Sequence, residues 1–95
     1  MIRANQAQTD PAACAKRTLE ILQQVTGDAD VLTDSDLQLY ASGLLDSLAT
    51  VSLIVAFEEA FGLVISPAEF DREAWATPKL LVADIERRQA EGAAA

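Results

Sequence analysis

The sequence predicts an all-α fold, a small bundle of three main helices plus one short helix, with a long loop between helices 1 and 2. Apolar residues recur at helical spacing in three segments, and a capping residue or a proline opens each of them. Only residues 63–65 are extended in pattern, and they have no partner strand. With 95 residues, of which 51% are hydrophobic, the chain can bury one small core and no second domain.

Helix 1 is predicted at about 11–26. Asp10 supplies an N-cap, Pro11 occupies the first helical position, and Gly27 supplies the stop. Its inner face is expected to hold Ala15, Leu19 and Leu22, flanked by Ile21 and Val25. The connection 28–46 is unusually long, and we expect it to pack onto the core through Val31, Leu32, Leu37, Leu39 and Leu44.

Helix 2 is predicted from Ser47 to Phe61, between the N-cap Asp46 and the stop Gly62. A short third helix is predicted to begin in the segment 66–69, where a capping box coincides with a proline. Thr77-Pro78 predicts helix 4 at about 78–90. Its inner side is expected to hold Leu81, Val82, Ile85 and Gln89. Near its C-terminus, Arg87 and Arg88 would interact favourably with the negative end of the helix dipole.

These boundaries predict one domain at residues 10–91, with a flexible N-terminus at 1–9 and a flexible C-terminus at 92–95. The N-terminal residues lack the apolar stretch of a signal peptide, and the longest apolar run, residues 53–57, is too short to span a bilayer. We therefore expect a soluble monomer without direct membrane insertion.

The charge balance excludes several classes of partner. Fifteen acidic against seven basic residues give a net charge of −8, which repels nucleic-acid phosphates and anionic lipid surfaces. The same charge favours basic protein partners and speeds their encounter.

The residue types that most enzymes use are missing. There is no histidine, and Cys14 has no second cysteine for a disulfide or a metal site. A lone cysteine favours a reducing, cytoplasmic compartment. The sequence therefore predicts neither a metal site nor an enzyme.

Helix 2 carries apolar residues on two faces. One face collects Thr50, Leu53, Ile54, Phe57, Ala60 and Phe61 and is expected to join the core. The opposite face carries Leu48, Val51 and Val55, bordered by Ser52, Glu58 and Glu59. Either the helix is packed on both sides, or this second face is an exposed docking surface with an acidic rim. We favour the docking surface, because so small a core can hardly surround a helix.

Ser47 would occupy the first position of helix 2, near the free N–H groups and the positive end of the dipole. A phosphodiester attached to its hydroxyl would be stabilised there, beside the capping carboxylate of Asp46. An Asp-Ser pair is also a common helix start without further function. A serine nucleophile is a poor fit, because Gly-x-Ser-x-Gly and an activating histidine are both absent.

Two stretches resemble a known family. Asp46-Ser47-Leu48 at a helix start, followed by Val51, Leu53 and the pair Glu58-Glu59, resembles the acyl/peptidyl carrier proteins. The runs 43–51 and 69–78 further resemble the D-alanyl carrier branch, and the second run, with Phe-Asp-Arg-Glu and Trp-x-Thr-Pro, is the more specific. Ala49 differs from fatty-acid carriers, and Leu44-Leu45 differs from peptidyl carriers; both differences favour the aminoacyl branch.

The resemblance implies a shuttle without catalytic residues. A phosphopantetheinyl transferase would attach 4′-phosphopantetheine from coenzyme A to Ser47, with Asp46 beside it. An ATP-dependent aminoacyl or acyl ligase would load the arm as a thioester with D-alanine, another amino acid or a short acyl unit. An acceptor acyltransferase would then take the group. The partner surface would be Leu48, Val51, Val55, Glu58 and Glu59. The alternative is a small helical interaction module without a covalent cofactor.

The positions of three aromatic residues predict their roles. Phe70 and Trp75 are predicted to fill the core between helices 2 and 4, with a role in shaping the arm or partner site as the weaker alternative. Tyr40 is predicted to pack with its hydroxyl toward solvent.

Overall fold

A computed structural model describes residues 11–67 and 71–94. Within these described ranges it contains three α-helices, which we number α1 (Pro11–Thr26), α2 (Ser47–Phe61) and α3 (Pro78–Ala94). The connections between them include two 3₁₀-helices that lie wholly in the described ranges, Ala29–Leu32 before α2 and Arg72–Trp75 before α3. No strand occurs in the described ranges, so the all-α prediction is confirmed, and the helix predicted fourth from the sequence is α3.

Local hydrogen bonds account for the predicted helix ends. Gly27 and Gly62 both adopt φ 72°, a left-handed conformation that favours glycine, and their N–H groups close the last turns of α1 and α2. Asp46 caps α2 by accepting a hydrogen bond from the Ala49 N–H at 2.8 Å. The Thr77 hydroxyl caps α3 through the Leu80 N–H at 3.2 Å. The predicted cap Asp10 lies outside the described residues.

Helix α3 continues to Ala94, one turn beyond the predicted end near residue 90. Gly92 does not stop it, because glycine inside a helix costs only about 1 kcal/mol relative to alanine, and the residues that flank it, Glu91 and Ala93, are good helix formers. An ion pair of 3.0 Å between Arg87 and Glu91, one turn apart, supports this extension.

The short helix predicted third from the sequence is, in its described part, a 3₁₀-helix, which is wound more tightly than an α-helix. The described part is the 3₁₀-helix Arg72–Trp75, capped by the Asp71 carboxylate, which accepts from the Glu73 N–H at 2.9 Å. The predicted start in the segment 66–69 reaches residues outside the described ranges, and so does Phe70.

The inner face of α1 is centred differently from the prediction. Cys14, Thr18, Ile21 and Leu22 are buried, whereas Ala15 and Leu19 are only half-buried. The polar Thr18 can occupy the core because its hydroxyl donates to the Cys14 carbonyl at 2.8 Å. A pattern that counts threonine as polar therefore places the apolar stripe beside its true position. Burial also raises the pKa of the Cys14 thiol.

The long loop packs onto the core, and two of the residues predicted to do so, Val31 and Leu39, are buried. Leu45, which the sequence did not predict as a core residue, is buried as well. Leu37 and Leu44 are partly buried, and Leu32 is exposed. Backbone hydrogen bonds tie the loop to the start of α3, from the Leu39 N–H to the Ala76 carbonyl at 2.9 Å and from the Lys79 N–H to the Ser35 carbonyl at 3.1 Å. The loop is therefore an ordered support for the start of α2.

Trp75 fills the core between α2 and α3, as predicted. Its ring is fully buried and meets Phe57 edge to face, with ring centroids 5.6 Å apart. Its indole N–H donates to the buried carboxylate of Asp84 at 2.8 Å. Arg87 and Arg88 both bind this carboxylate, so they pair with Asp84 rather than with the helix end.

The sequence predicts no direct insertion into a membrane, and the length and hydropathy of the helices bear on this prediction. Among the described residues, no helix combines the length and the apolar character that crossing a bilayer requires.

Candidate attachment site at the start of α2

Ser47 is the first residue of α2 and is exposed. The loop before it is held from below by Leu45, which is 98% buried and whose N–H donates to the Leu39 carbonyl at 2.9 Å. Gly43, at φ 88°, makes the turn that leads into this segment. The serine hydroxyl therefore stands on the surface at a rigid helix start.

Asp46 uses its polar atoms to build the helix start. Its carboxylate accepts from the Ala49 N–H at 2.8 Å, and its carbonyl accepts from both the N–H and the hydroxyl of Thr50, at 2.9 and 2.7 Å. The N-cap role predicted for Asp46 is present, and it fixes the backbone next to Ser47.

Arg72 reaches the Ser47 hydroxyl from the second 3₁₀-helix. Its Nη2 donates to Ser47 Oγ at 3.0 Å. Nothing in the sequence pattern predicted this contact, because the two residues lie 25 positions apart and no local periodicity connects them. The only signal was that Arg72 belongs to the run 69–78, which carried the more specific part of the resemblance.

Tyr40 supports Arg72 from beneath. The Arg72 guanidinium carbon lies 4.9 Å from the centre of the tyrosine ring, a cation–π contact. The prediction that the Tyr40 hydroxyl faces solvent was wrong, since it forms a 2.6 Å hydrogen bond with Thr50 Oγ1. Partial burial raises the pKa of Tyr40, although the bond to Thr50 and the charge of Arg72 act in the opposite direction.

The outer face of α2 is open. Leu48 is 77% exposed, Val51 46% and Val55 48%, and Glu58 and Glu59 beside them are exposed as well. The helix is therefore not packed on both sides. We call Leu48, Val51, Val55, Glu58 and Glu59 the outer face; the inner face of the same helix buries Thr50, Leu53, Ile54 and Phe57.

The chemistry of this site suits an attached anion. An accessible hydroxyl, a guanidinium within hydrogen-bond distance and the positive end of α2 all favour negative charge at Ser47 Oγ. The Asp46 carboxylate is already engaged by the helix cap. The residues present therefore fit a phosphodiester on Ser47.

Comparison with known proteins decides the family. The sequence matches the family described as "Phosphopantetheine attachment site" over residues 16–85. The chain belongs to this family. It is 45% identical over 71 residues to the D-alanyl carrier protein of Enterococcus faecalis, covering 75% of this chain and 91% of that protein. It is also 44% identical to the D-alanyl carrier protein of Lacticaseibacillus casei over 71 residues, 75% and 88% of the two chains.

A third relative, the D-alanyl carrier protein of Listeria welshimeri, is 38% identical over 74 residues, 78% of this chain and 95% of that protein. The resemblance to the carrier superfamily and its D-alanyl carrier branch is thereby confirmed. The chain is a phosphopantetheine-dependent carrier protein, with 4′-phosphopantetheine as its covalent cofactor, and it is not an enzyme. The interaction module without a cofactor is not favoured.

Proposed function

We propose that Ser47 carries the 4′-phosphopantetheine arm, transferred from coenzyme A, and that the arm is loaded with D-alanine. The observation that carries the proposal is the exposed Ser47 hydroxyl at the start of α2, within 3.0 Å of a guanidinium. When attached, the arm supplies a thiol that holds the cargo as a thioester. The protein supplies the anchor for the arm, its local charge and a surface for partners.

The choice of D-alanine has two supports. Relatives of 38 to 45% identity that this chain covers almost completely are named D-alanyl carrier proteins. Around Ser47, Ala49 and the pair Leu44-Leu45 differ from fatty-acid and peptidyl carriers. Another amino acid or a short acyl unit would be the alternative cargo.

A carrier works with a transferase and a ligase. We propose three partners: a phosphopantetheinyl transferase, an ATP-dependent ligase for D-alanine, and an acyltransferase that accepts the group. The outer face of α2 lies next to Ser47 in sequence and in space, so it is the surface on which these enzymes would dock. The first two enzymes use coenzyme A and ATP, which are cytoplasmic substrates, and we therefore assign the protein to the cytoplasm. We also propose that it acts as a monomer.

Intact-mass measurement tests the attachment. After incubation with coenzyme A and a broad-range phosphopantetheinyl transferase, the native chain should gain the mass of one phosphopantetheine. Ser47→Ala should gain none. Ser52→Ala is the matched control, because Ser52 is an exposed serine of the same helix whose hydroxyl donates to the Leu48 carbonyl at 3.2 Å. Modification of Ser47→Ala would place the arm elsewhere.

A second measurement tests the cargo. The modified protein, a D-alanine ligase and ATP are incubated with D-alanine, L-alanine, glycine or a short fatty acid in parallel. The thiol should gain one alanyl group from D-alanine, and hydroxylamine should release it, as expected of a thioester. Equal loading by L-alanine, or failure with a ligase that loads one of the named relatives, would contradict the proposed cargo while leaving the attachment site intact.

A further inference from the structure

We propose that Arg72, seated on the ring of Tyr40, binds the phosphodiester of the arm at Ser47 and so restrains the first bonds of that arm. The proposal rests on the attachment at Ser47. It assigns to Arg72 and Tyr40 a binding role that the sequence pattern did not indicate, and it follows from three features of the structure.

The first feature is position. Arg72 Nη2 lies 3.0 Å from Ser47 Oγ, the atom to which phosphorus would be bonded. The free phosphate oxygens would therefore be two bonds beyond an atom that the guanidinium already contacts. Only one N–H of Arg72 is used on Ser47, and a guanidinium has five. Arginine pairs with phosphate through parallel, charge-assisted hydrogen bonds, which are stronger than bonds between neutral groups.

The second feature is charge. Arg17, Arg87 and Arg88 each pair with a carboxylate. Among the side chains described at 12–67 and 71–91, Arg72 is the one arginine without a carboxylate within 4.0 Å, in a chain whose net charge is −8. Its charge is directed to a neutral hydroxyl, which is a weak partner for a guanidinium. A phosphodiester on the same oxygen would supply the missing anion.

The third feature is preorganisation. The Tyr40 ring lies 4.9 Å below the guanidinium carbon and limits its freedom. The Tyr40 hydroxyl is tied to Thr50 at 2.6 Å, and the Thr50 hydroxyl is tied to the Asp46 carbonyl at 2.7 Å. The support of Arg72 is thereby linked to the turn that carries Ser47. Less conformational entropy is then lost when Arg72 binds an anion.

The consequence is a two-stage role. Before modification, Arg72 holds the Ser47 hydroxyl at the surface. After modification, the same side chain pairs with the phosphodiester, so that the arm leaves the protein in a restricted direction. An exposed pair of this kind weakens as salt screens it.

A thermodynamic cycle measures the contact directly. Urea unfolding gives the equilibrium constant of unfolding for the unmodified and modified forms of the native chain and of Arg72→Gln, at low salt. In the native chain, modification should lower this constant about fivefold, the range of a favourable exposed ion pair. In Arg72→Gln it should change the constant by less than about 1.5-fold. Arg72→Lys keeps the charge but loses the planar guanidinium that can donate two parallel hydrogen bonds. The ratio of its unmodified to its modified unfolding constant should lie between those of the native chain and Arg72→Gln.

Two controls make the result specific. Lys16→Gln removes one exposed positive charge from α1 and should leave the native ratio unchanged. Tyr40→Leu removes the ring beneath Arg72, and should reduce the ratio without abolishing it. Equal ratios in the native chain and Arg72→Gln would overturn the proposal, and so would an equal reduction by Lys16→Gln.

A measurement on the native chain needs no variant. The side-chain Nε–Hε NMR resonance of Arg72 should shift on modification and move back toward its unmodified position at high salt. An unshifted resonance would overturn the proposal. The mass of each sample separates the two hypotheses: if Ser47 takes no arm, the attachment itself is wrong, whereas a fully modified chain without coupling contradicts only the role of Arg72.

Discussion

Both faces of α2 carry apolar side chains, but these side chains have opposite environments. The inner face buries Leu53, Ile54 and Phe57 almost completely. The outer face leaves Leu48 77% exposed and keeps Val51 and Val55 about half exposed. Leu48, Val51 and Val55 are as apolar as the buried residues, so their own hydropathy does not explain why they are exposed. The difference arises because α1 and Trp75 cover one side of α2, and no described element covers the other.

This contrast separates folding from function within one helix. Apolar side chains on the inner face stabilise the fold by leaving water. Those on the outer face contribute less to folding, since they keep about half or more of their surface in water. An exposed apolar patch with a polar rim is typical of a docking surface. The two faces should therefore respond to the same kind of substitution with different losses, which the following experiments measure.

The largest effect is expected from truncation on the inner face. Leu53→Ala should lower the free energy of unfolding by about 2–5 kcal/mol, because it removes a fully buried side chain and leaves a cavity. Val55→Ala, two positions along the same helix, should change it by less than about 0.5 kcal/mol. Urea unfolding monitored by circular dichroism measures both. Similar losses at the two positions would mean that the outer face is buried in solution.

The next effect concerns the contact that holds Trp75 against the inner face. Asp84→Ala removes the buried carboxylate that accepts from the Trp75 indole N–H and should cost about 1–3 kcal/mol of unfolding free energy. Asp84→Asn retains an acceptor for Trp75 and should cost less. Modification at Ser47 should continue in both variants while they remain folded. A larger loss in Asp84→Asn than in Asp84→Ala would contradict the role of the indole bond.

Lowering the pH should remove the stabilisation that the ionised Asp84 carboxylate provides. Burial alone would raise the pKa of Asp84, but hydrogen bonds from Arg88, Trp75 and Arg87 outweigh burial and lower it. A lowered pKa in the folded state means that the ionised carboxylate stabilises the fold above its ordinary pKa of about 3.9. This stabilisation is lost as the pH falls through the lower, folded-state value. The difference in the free energy of unfolding between the native chain and Asp84→Ala, measured by urea unfolding, should therefore become smaller below about pH 4.

The elements that could be predicted from the sequence are those set by local signals. The bounds of α2 depend on Asp46 and Gly62, a cap and a left-handed stop that act over single turns. The position of Ser47 at the helix start followed from the same two signals. The outer face was foreseen because a short chain cannot supply enough core to enclose it.

The features that escaped prediction depend on contacts between distant residues. Arg72 meets Ser47 across 25 positions, and Tyr40 meets Thr50 across ten. Asp84 is a charged residue of α3 that local periodicity does not place in the core, and its three hydrogen bonds explain why it can be buried. Periodicity describes one element at a time, so it cannot report such contacts.

A smaller effect is expected on the outer face, in docking rather than in stability. Leu48→Ala combined with Val51→Ala should reduce kcat/KM for loading by the ligase about tenfold, which corresponds to about 1.4 kcal/mol of lost docking energy. The free energy of unfolding should change little. Val64→Ala is the control, since Val64 is 82% exposed but lies outside α2. A loading rate equal to that of the control would show that the ligase binds elsewhere.

The smallest effect is expected from the acidic rim. Glu58→Lys with Glu59→Lys should lower kcat/KM for loading about threefold at low salt, because rim charges act mainly on the rate of encounter. The difference should shrink at high salt, where exposed charges are screened. Asp30→Lys with Asp36→Lys makes the same change in net charge at exposed positions away from α2. If both pairs slow loading equally, the ligase responds to the overall charge of −8, and the docking specificity of the outer face then comes from Leu48, Val51 and Val55 alone.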